Sequence, residues 1–131
     1  GGNWIILIKS ATNVLKGDNF VFVYPELLEN KTIVRVGEVI TSEILEKKDL
    51  NYKTVNSKIK NLLRKTRNTI KSRGSIVNEI TTKGDFIKKI RDSLSVRQNN
   101  KYILEVISLN DSKTADPIIV ELKITKISPN D

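Results

Sequence analysis

Residues 53–73 read KTVNSKIKNLLRKTRNTIKSR, and the parsing of the whole chain turns on this stretch. Val55, Ile59, Leu62, Leu63 and Ile70 recur at 3.6-residue spacing, so they share one helical face. Lys60, Arg64, Arg67 and Lys71 fall at i, i+4, i+7 and i+11, which lays a cationic stripe along an outward face. Gly74 stands where a helix stop belongs, and cations crowd the last turn, as the helix dipole favours. The spacing therefore predicts one amphipathic, basic helix in a chain that otherwise reads as strands.

Upstream, Trp4-Ile5-Ile6-Leu7-Ile8 is β-rich and apolar on both faces, as a buried strand would be. Lys16-Gly17-Asp18-Asn19 reads as a turn into Phe20-Val21-Phe22-Val23-Tyr24, which Pro25 is expected to stop. Thr32 to Thr41 reads as a third strand, with Gly37 marking a bulge or a close backbone approach. Downstream, Ser75 to Ile80 suggests a short strand. A second helix is expected from near Thr82, with Asp85 completing a capping pair and Phe86, Ile87, Ile90 and Leu94 as its buried face. Tyr102 to Leu109 and Ile118 to Ile127 flank a polar loop ending in Asp116-Pro117. In the second of these, Val120, Leu122 and Ile124 alternate with Glu121, Lys123 and Thr125.

That order predicts an α+β fold: a small, mostly antiparallel β-barrel or sheet, with a two-helix basic insertion between the third strand and the C-terminal hairpin. A length of 131 residues suits a single domain, assigned to residues 3–127. Gly1-Gly2 reads as a cleavage scar and residues 128–131 as the start of a linker, which points to a longer parent chain with other domains.

The formal charge is +8, from 23 Lys and Arg against 15 Asp and Glu, and its placement is informative. No acidic residue lies between Asp49 and Glu79, whereas Lys53, Lys58, Lys60, Arg64, Lys65, Arg67, Lys71 and Arg73 all do. The remaining 15 basic residues match the 15 acidic ones, so the whole excess sits on one element. A cationic face without interleaved carboxylates suits a polyanion, because solvated helices usually carry both signs. The expected phosphate contacts are Lys58, Lys60, Arg64, Lys65, Arg67, Lys71 and Arg73. An acidic protein or membrane surface, or a plain solvated face, is the alternative reading of the same charges.

Composition excludes other classes. With no Cys and no His, the chain offers no disulfide, thiol nucleophile, zinc finger or histidine acid–base chemistry. No cofactor is expected. No apolar run exceeds five residues, as at Trp4–Ile8, so no membrane partner is expected, and a reducing, cytoplasmic setting fits the absence of cysteine. Two further readings stay open. Glu38–Lys47, Asp49–Lys53 and Thr54–Arg67 could form a helix-turn-helix. Glu121-Leu122-Lys123 matches the second half of a PD-(D/E)xK nuclease motif, with Asp111 or Asp116 as metal partners.

The opening strand Trp4–Ser10, the Gly17-Asp18 turn before Phe20–Tyr24, and the run Ile33-Val34-Arg35-Val36-Gly37-Glu38-Val39-Ile40 together resemble the PUA-like barrels, in particular the EVE and YTH domains. Pro117 before Ile118 to Leu122 has a counterpart in the closing hairpin of that family. The resemblance covers about half the chain. It implies a reader of modified or flipped bases, of the kind that targets restriction-type defence enzymes to methylated DNA, and so DNA over RNA as partner. By position it places Lys9, Ser10 and Asn13 at a pocket rim, with Trp4 and Tyr24 as candidate walls. The chain departs from the family in its short Ser10–Gly17 connection and in the inserted basic segment.

Overall fold

Apolar side chains at every second position over residues 101–108 and 118–127 can bury one face of a two-stranded ribbon, and those residues form the centre of the principal sheet. The structure, a computed structural model, describes residues 4–12, 21–85, 88, 92 and 101–127. The chain divides into two units, Gly1–Lys31 and Thr32–Asp131.

The first unit is a β-hairpin. Strands β1 (Trp4–Thr12) and β2 (Val21–Glu29) pair antiparallel without a register shift, from Trp4 opposite Glu29 to Thr12 opposite Val21. Pro25 does not stop β2 but stands opposite Ile8. In a ribbon of two edge strands, a missing N–H can be directed away from the partner, so proline is tolerated. The expected Lys16–Asn19 turn lies outside the described residues.

In the second unit, the expected third strand is two. Strand β3 (Thr32–Val34) and strand β4 (Val39–Leu45) are separated by a turn in which Gly37 adopts φ +84° and donates its N–H to the Ser108 carbonyl at 2.8 Å. That positive φ is the conformational reason for a glycine here, and the β4–β6 register shifts just beyond it, between Val39 and Thr41. A 3-10 turn (Lys47–Asp49) leads into helix α1 (Tyr52–Ser72). Strand β5 spans Ile80–Thr82, so Ser75–Glu79 is not strand. Strands β6 (Lys101–Ser108), β7 (Ser112–Lys113) and β8 (Ile118–Ile127) complete the described elements.

The main sheet has the order β4-β6-β8-β5, antiparallel except for the β5–β8 pair, while β3 pairs with β7 apart from it. Tyr102, Leu104 and Val106 of β6 and Ile118, Val120 and Leu122 of β8 are buried together with Val55, Ile59, Leu62 and Ile70 of α1, so the helix covers one sheet face. Full burial of each such aliphatic side chain contributes about 1.5–3 kcal/mol relative to exposure.

The fold is thus α+β and mostly antiparallel, but no closed barrel exists among the described residues. The sheet ends on β4 at one edge and on the three-residue β5 at the other, too short to continue the ladder round. Of the two expected helices, α1 is described in full, while of the second only Lys88 and Asp92 are described, both helical. Thr82 belongs to β5, which excludes a helix start there. The Asp85 carboxylate instead accepts the Lys88 N–H at 3.1 Å, the bond of a helix N-cap. Phe86, Ile87, Ile90 and Leu94 lie outside the described residues.

Candidate nucleic-acid interface

Helix α1 is defined at both ends by side-chain and backbone chemistry. Asn51 is its N-cap, extended at φ −121° and ψ 153°, and its side-chain oxygen accepts the Thr54 N–H at 2.9 Å. At the other end Gly74, at φ +104°, donates to the Lys71 carbonyl at 3.0 Å and Ser75 donates to the Ile70 carbonyl at 3.1 Å. That pair of bonds is the Schellman arrangement, in which a left-handed glycine satisfies the last carbonyls.

Between the caps, at about 100° per residue, the helix carries four lines of distinct chemistry. Val55, Ile59, Leu62, Thr66 and Ile70 face the core. Thr66 is a polar member of that line. Its hydroxyl donates to the Leu62 carbonyl at 2.9 Å and therefore accepts from the Thr41 hydroxyl at 2.6 Å, so nothing polar is left unpaired. Roughly opposite, Lys60, Arg64, Arg67 and Lys71 are all exposed and form no ion pair among the described residues. Their line runs for about 16 Å along the axis. Beside it lies a neutral polar row of Ser57, Asn61 and Asn68, in which the Asn61 side-chain oxygen accepts from the Arg64 guanidinium.

The fourth line, Lys58 and Lys65, leans toward β4. Glu43 on that strand reaches both, at 3.6 Å to Lys58 and 3.4 Å to Lys65, and Lys58 also lies 3.5 Å from the buried Asp49. Asp49 accepts the Glu46 N–H at 3.0 Å. That hydrogen bond holds its carboxyl below the usual carboxylate value of 3.8, with Lys58 and Lys48 acting in the same direction and burial acting against them. Arg73 is committed elsewhere: it holds the Glu38 carboxylate at 2.6 Å and the Ile33 carbonyl at 3.0 Å, tying the end of α1 to the β3–β4 turn.

The seven expected phosphate contacts therefore divide by partner. Four share an open face, two pair with Glu43 on its flank, and Arg73 secures the fold. Ser57, Lys58, Lys60, Asn61, Arg64 and Arg67 together line an open depression of about 370 Å³. Comparison of the chain with protein-family models, curated proteins and solved structures finds no match.

The candidate base-pocket residues stand in the hairpin unit. Trp4 is 62% exposed, alongside Ile6 and Leu27, which are paired across the strands. Lys9 stands opposite Tyr24 and Ser10 opposite Val23, while Asn13 and the side chains of Lys9, Ser10 and Tyr24 lie outside the description. Strand alternation puts the Lys9–Tyr24 register position on the other face of the ribbon from Trp4–Glu29.

The nuclease constellation does not assemble either. Glu121 and Lys123 flank the buried Leu122 on the sheet face opposite the core. The Asp111 carboxylate accepts the Val36 N–H at 2.8 Å, a tertiary bond to the β3–β4 turn, and the Asp116 carboxylate accepts the Lys113 N–H at 2.9 Å and closes a local turn. Among the described residues, no three carboxylates gather in a way that could hold a metal ion. The helix-turn-helix reading fails on its first helix, because residues 39–45 are strand β4.

Two features escaped the sequence reading. One is Glu43, whose significance depends on strand β4 passing beneath α1. The other is the Ser57, Asn61 and Asn68 row, which obeys the same helical arithmetic as the cations. No described helix is long and apolar enough to cross a membrane.

Proposed function

We propose that this chain is a nucleic-acid-binding domain that grips phosphates with α1, and that DNA is its partner. The observation carrying the proposal is the set of four exposed cations, Lys60, Arg64, Arg67 and Lys71, with no carboxylate paired to them among the described residues. Other cations of the same segment do find carboxylates: Lys58 and Lys65 take Glu43, and Arg73 takes Glu38. The chain thus neutralises α1 where it packs and leaves it charged where it faces outward. Phosphates meeting that face would release their counterions, which supplies affinity without sequence preference.

The test is charge reversal. Replacing Lys60, Arg64, Arg67 and Lys71 together with Glu is expected to abolish binding to duplex DNA while the thermal midpoint stays near that of the unaltered protein. Unchanged affinity would overturn the proposal.

The wider part of the proposal is a module that brings a larger restriction-type enzyme to DNA carrying a modified base. Its support is the PUA-like resemblance of the opening strands, together with the exposure of Trp4, a side chain suited to stacking on a base. Trp4→Ala is expected to erase any preference for methylated over unmethylated duplex. A preference that survives the substitution would remove Trp4 from the reading.

A further inference from the structure

The row Ser57, Asn61 and Asn68 lies on α1 between two lines of cations, Lys60, Arg64, Arg67 and Lys71 on one side and Lys58 and Lys65 on the other. Ser57, Lys58, Lys60, Asn61, Arg64 and Arg67 line the depression of about 370 Å³, and at about 100° per residue Ser57 and Asn61 fall between Lys58 on one side and Lys60, Arg64 and Arg67 on the other. A surface that only neutralises phosphate needs cations. A surface with a hydrogen-bonding floor between cationic rims matches a duplex groove, which offers base edges between two phosphate strands.

We infer that α1 enters the major groove of B-form duplex DNA, with Asn61 and Asn68 toward base edges and the two lines of cations toward opposite phosphate strands. This rests on the nucleic-acid reading above and specifies the form of nucleic acid. An α-helix with its side chains is about 10–12 Å across, and the major groove of B-DNA is about 12 Å wide. The major groove of A-form RNA is too deep and narrow for side chains to read. Single strands are held mainly by aromatic stacking, and the only aromatic residue of α1 is Tyr52 in its first turn, outside the depression. Asparagine is the residue type that pairs in bidentate fashion with the major-groove edge of adenine.

The two flanks differ at rest. Among the described residues no carboxylate pairs with the stripe, whereas Lys58 is held by Glu43 at 3.6 Å and Asp49 at 3.5 Å, and Lys65 by Glu43 at 3.4 Å. A phosphate strand on that side exchanges with Glu43 for the two lysines. Glu43 therefore opposes binding, and its neutralisation strengthens it.

The test uses the full chain and one mixed sequence of about 20 bp, roughly two helical turns. Fluorescence anisotropy compares the plain DNA duplex with a duplex whose cytosines are glucosylated 5-hydroxymethylcytosine, which fills the major groove, with the single strand and with the RNA duplex. The plain duplex is expected to bind at least about tenfold more tightly than each of the others. Equal binding to the glucosylated duplex, or tighter binding to single strand or RNA, overturns the groove inference and leaves the nucleic-acid reading standing. Failure to bind any of the four overturns that reading itself. Glu43→Gln is expected to tighten duplex binding by about threefold or more relative to Glu121→Gln, the same charge change on the far sheet face. Equal effects of the two overturn the second rim. Asn61→Ala with Asn68→Ala is expected to weaken the plain duplex by roughly tenfold at unchanged salt dependence, and unchanged affinity overturns the base-edge role.

Discussion

Asp49 occupies a position where one carboxylate serves two local structures. It accepts the Glu46 N–H in the 3-10 turn and lies 3.5 Å from Lys58 on α1. Its carboxyl is held below the ordinary value of 3.8, first by the Glu46 hydrogen bond and then by Lys58 and Lys48, with burial opposing them. A depressed folded-state pKa means that the ionised form is bound more tightly in the native protein than in the unfolded chain. The stabilisation is therefore complete above the unfolded value and is lost as pH falls through the folded one. Asp49→Asn should lower the thermal midpoint at neutral pH and flatten its acid limb below about pH 4, as circular dichroism melts across a pH series would record. An unaltered acid limb would remove Asp49 from that dependence. Thr66 presents the neutral counterpart. Its buried hydroxyl bridges the Thr41 hydroxyl and the Leu62 carbonyl. Thr66→Val keeps the shape and removes both bonds, so urea unfolding should show a loss of about 1 kcal/mol.

At the scale of the element, α1 shows which parts of the chain could be read in advance. Its start and stop rest on Asn51 and Gly74, both local signals. Asn51→Ala should cost about 0.5–2 kcal/mol through the lost Thr54 bond. Gly74→Ala should cost about 1–2 kcal/mol, because φ +104° is a left-handed conformation that a β-carbon resists. Both are measurable as shifts in denaturant midpoint, and either substitution proving neutral would mean that tertiary packing alone sets that end. The helix, the alternation of β8 and the spacing of the cationic stripe are local patterns, and the sequence carried them. The division of residues 32–41 into β3 and β4 was not legible, because it depends on Gly37 meeting the Ser108 carbonyl far along the chain. The parallel β5–β8 pairing is non-local in the same way. The nuclease reading failed for a related reason: the Asp111 carboxylate accepts the N–H of Val36, 75 residues away in the β3–β4 turn. A motif supplies residue types, while the hydrogen bond that uses them up is decided by topology. The same holds for Lys58 and Lys65, which the sequence grouped with the stripe and which Glu43 sets apart.

At the scale of the whole molecule, the excess of +8 belongs to the one segment that forms α1 and its C-cap, and Lys60, Arg64, Arg67 and Lys71 hold half of it on one outward face. Cations of α1 that approach the sheet meet carboxylates supplied by it or by the preceding turn, Glu43, Asp49 and Glu38. Those directed outward meet none among the described residues. Folding thus sharpens the charge asymmetry, since pairing neutralises the inner flank and leaves Lys60, Arg64, Arg67 and Lys71 concentrated over about 16 Å of axis, with the exposed Lys53 about two turns before them. Four phosphates contacted would give a slope of about −3.6 or steeper in log Kobs against log salt concentration. Lys60→Gln with Arg64→Gln should reduce the magnitude of that slope by about 1.8, the contribution of two phosphates. The thermal midpoint should hold, because neither side chain belongs to the core. The measurement is an anisotropy titration of duplex DNA at several salt concentrations, with the melting curve of the same preparation as its control. A slope that persists after both cations are removed would assign the phosphate contacts to another surface, and a melting curve that shifts would mean that the two side chains support the fold.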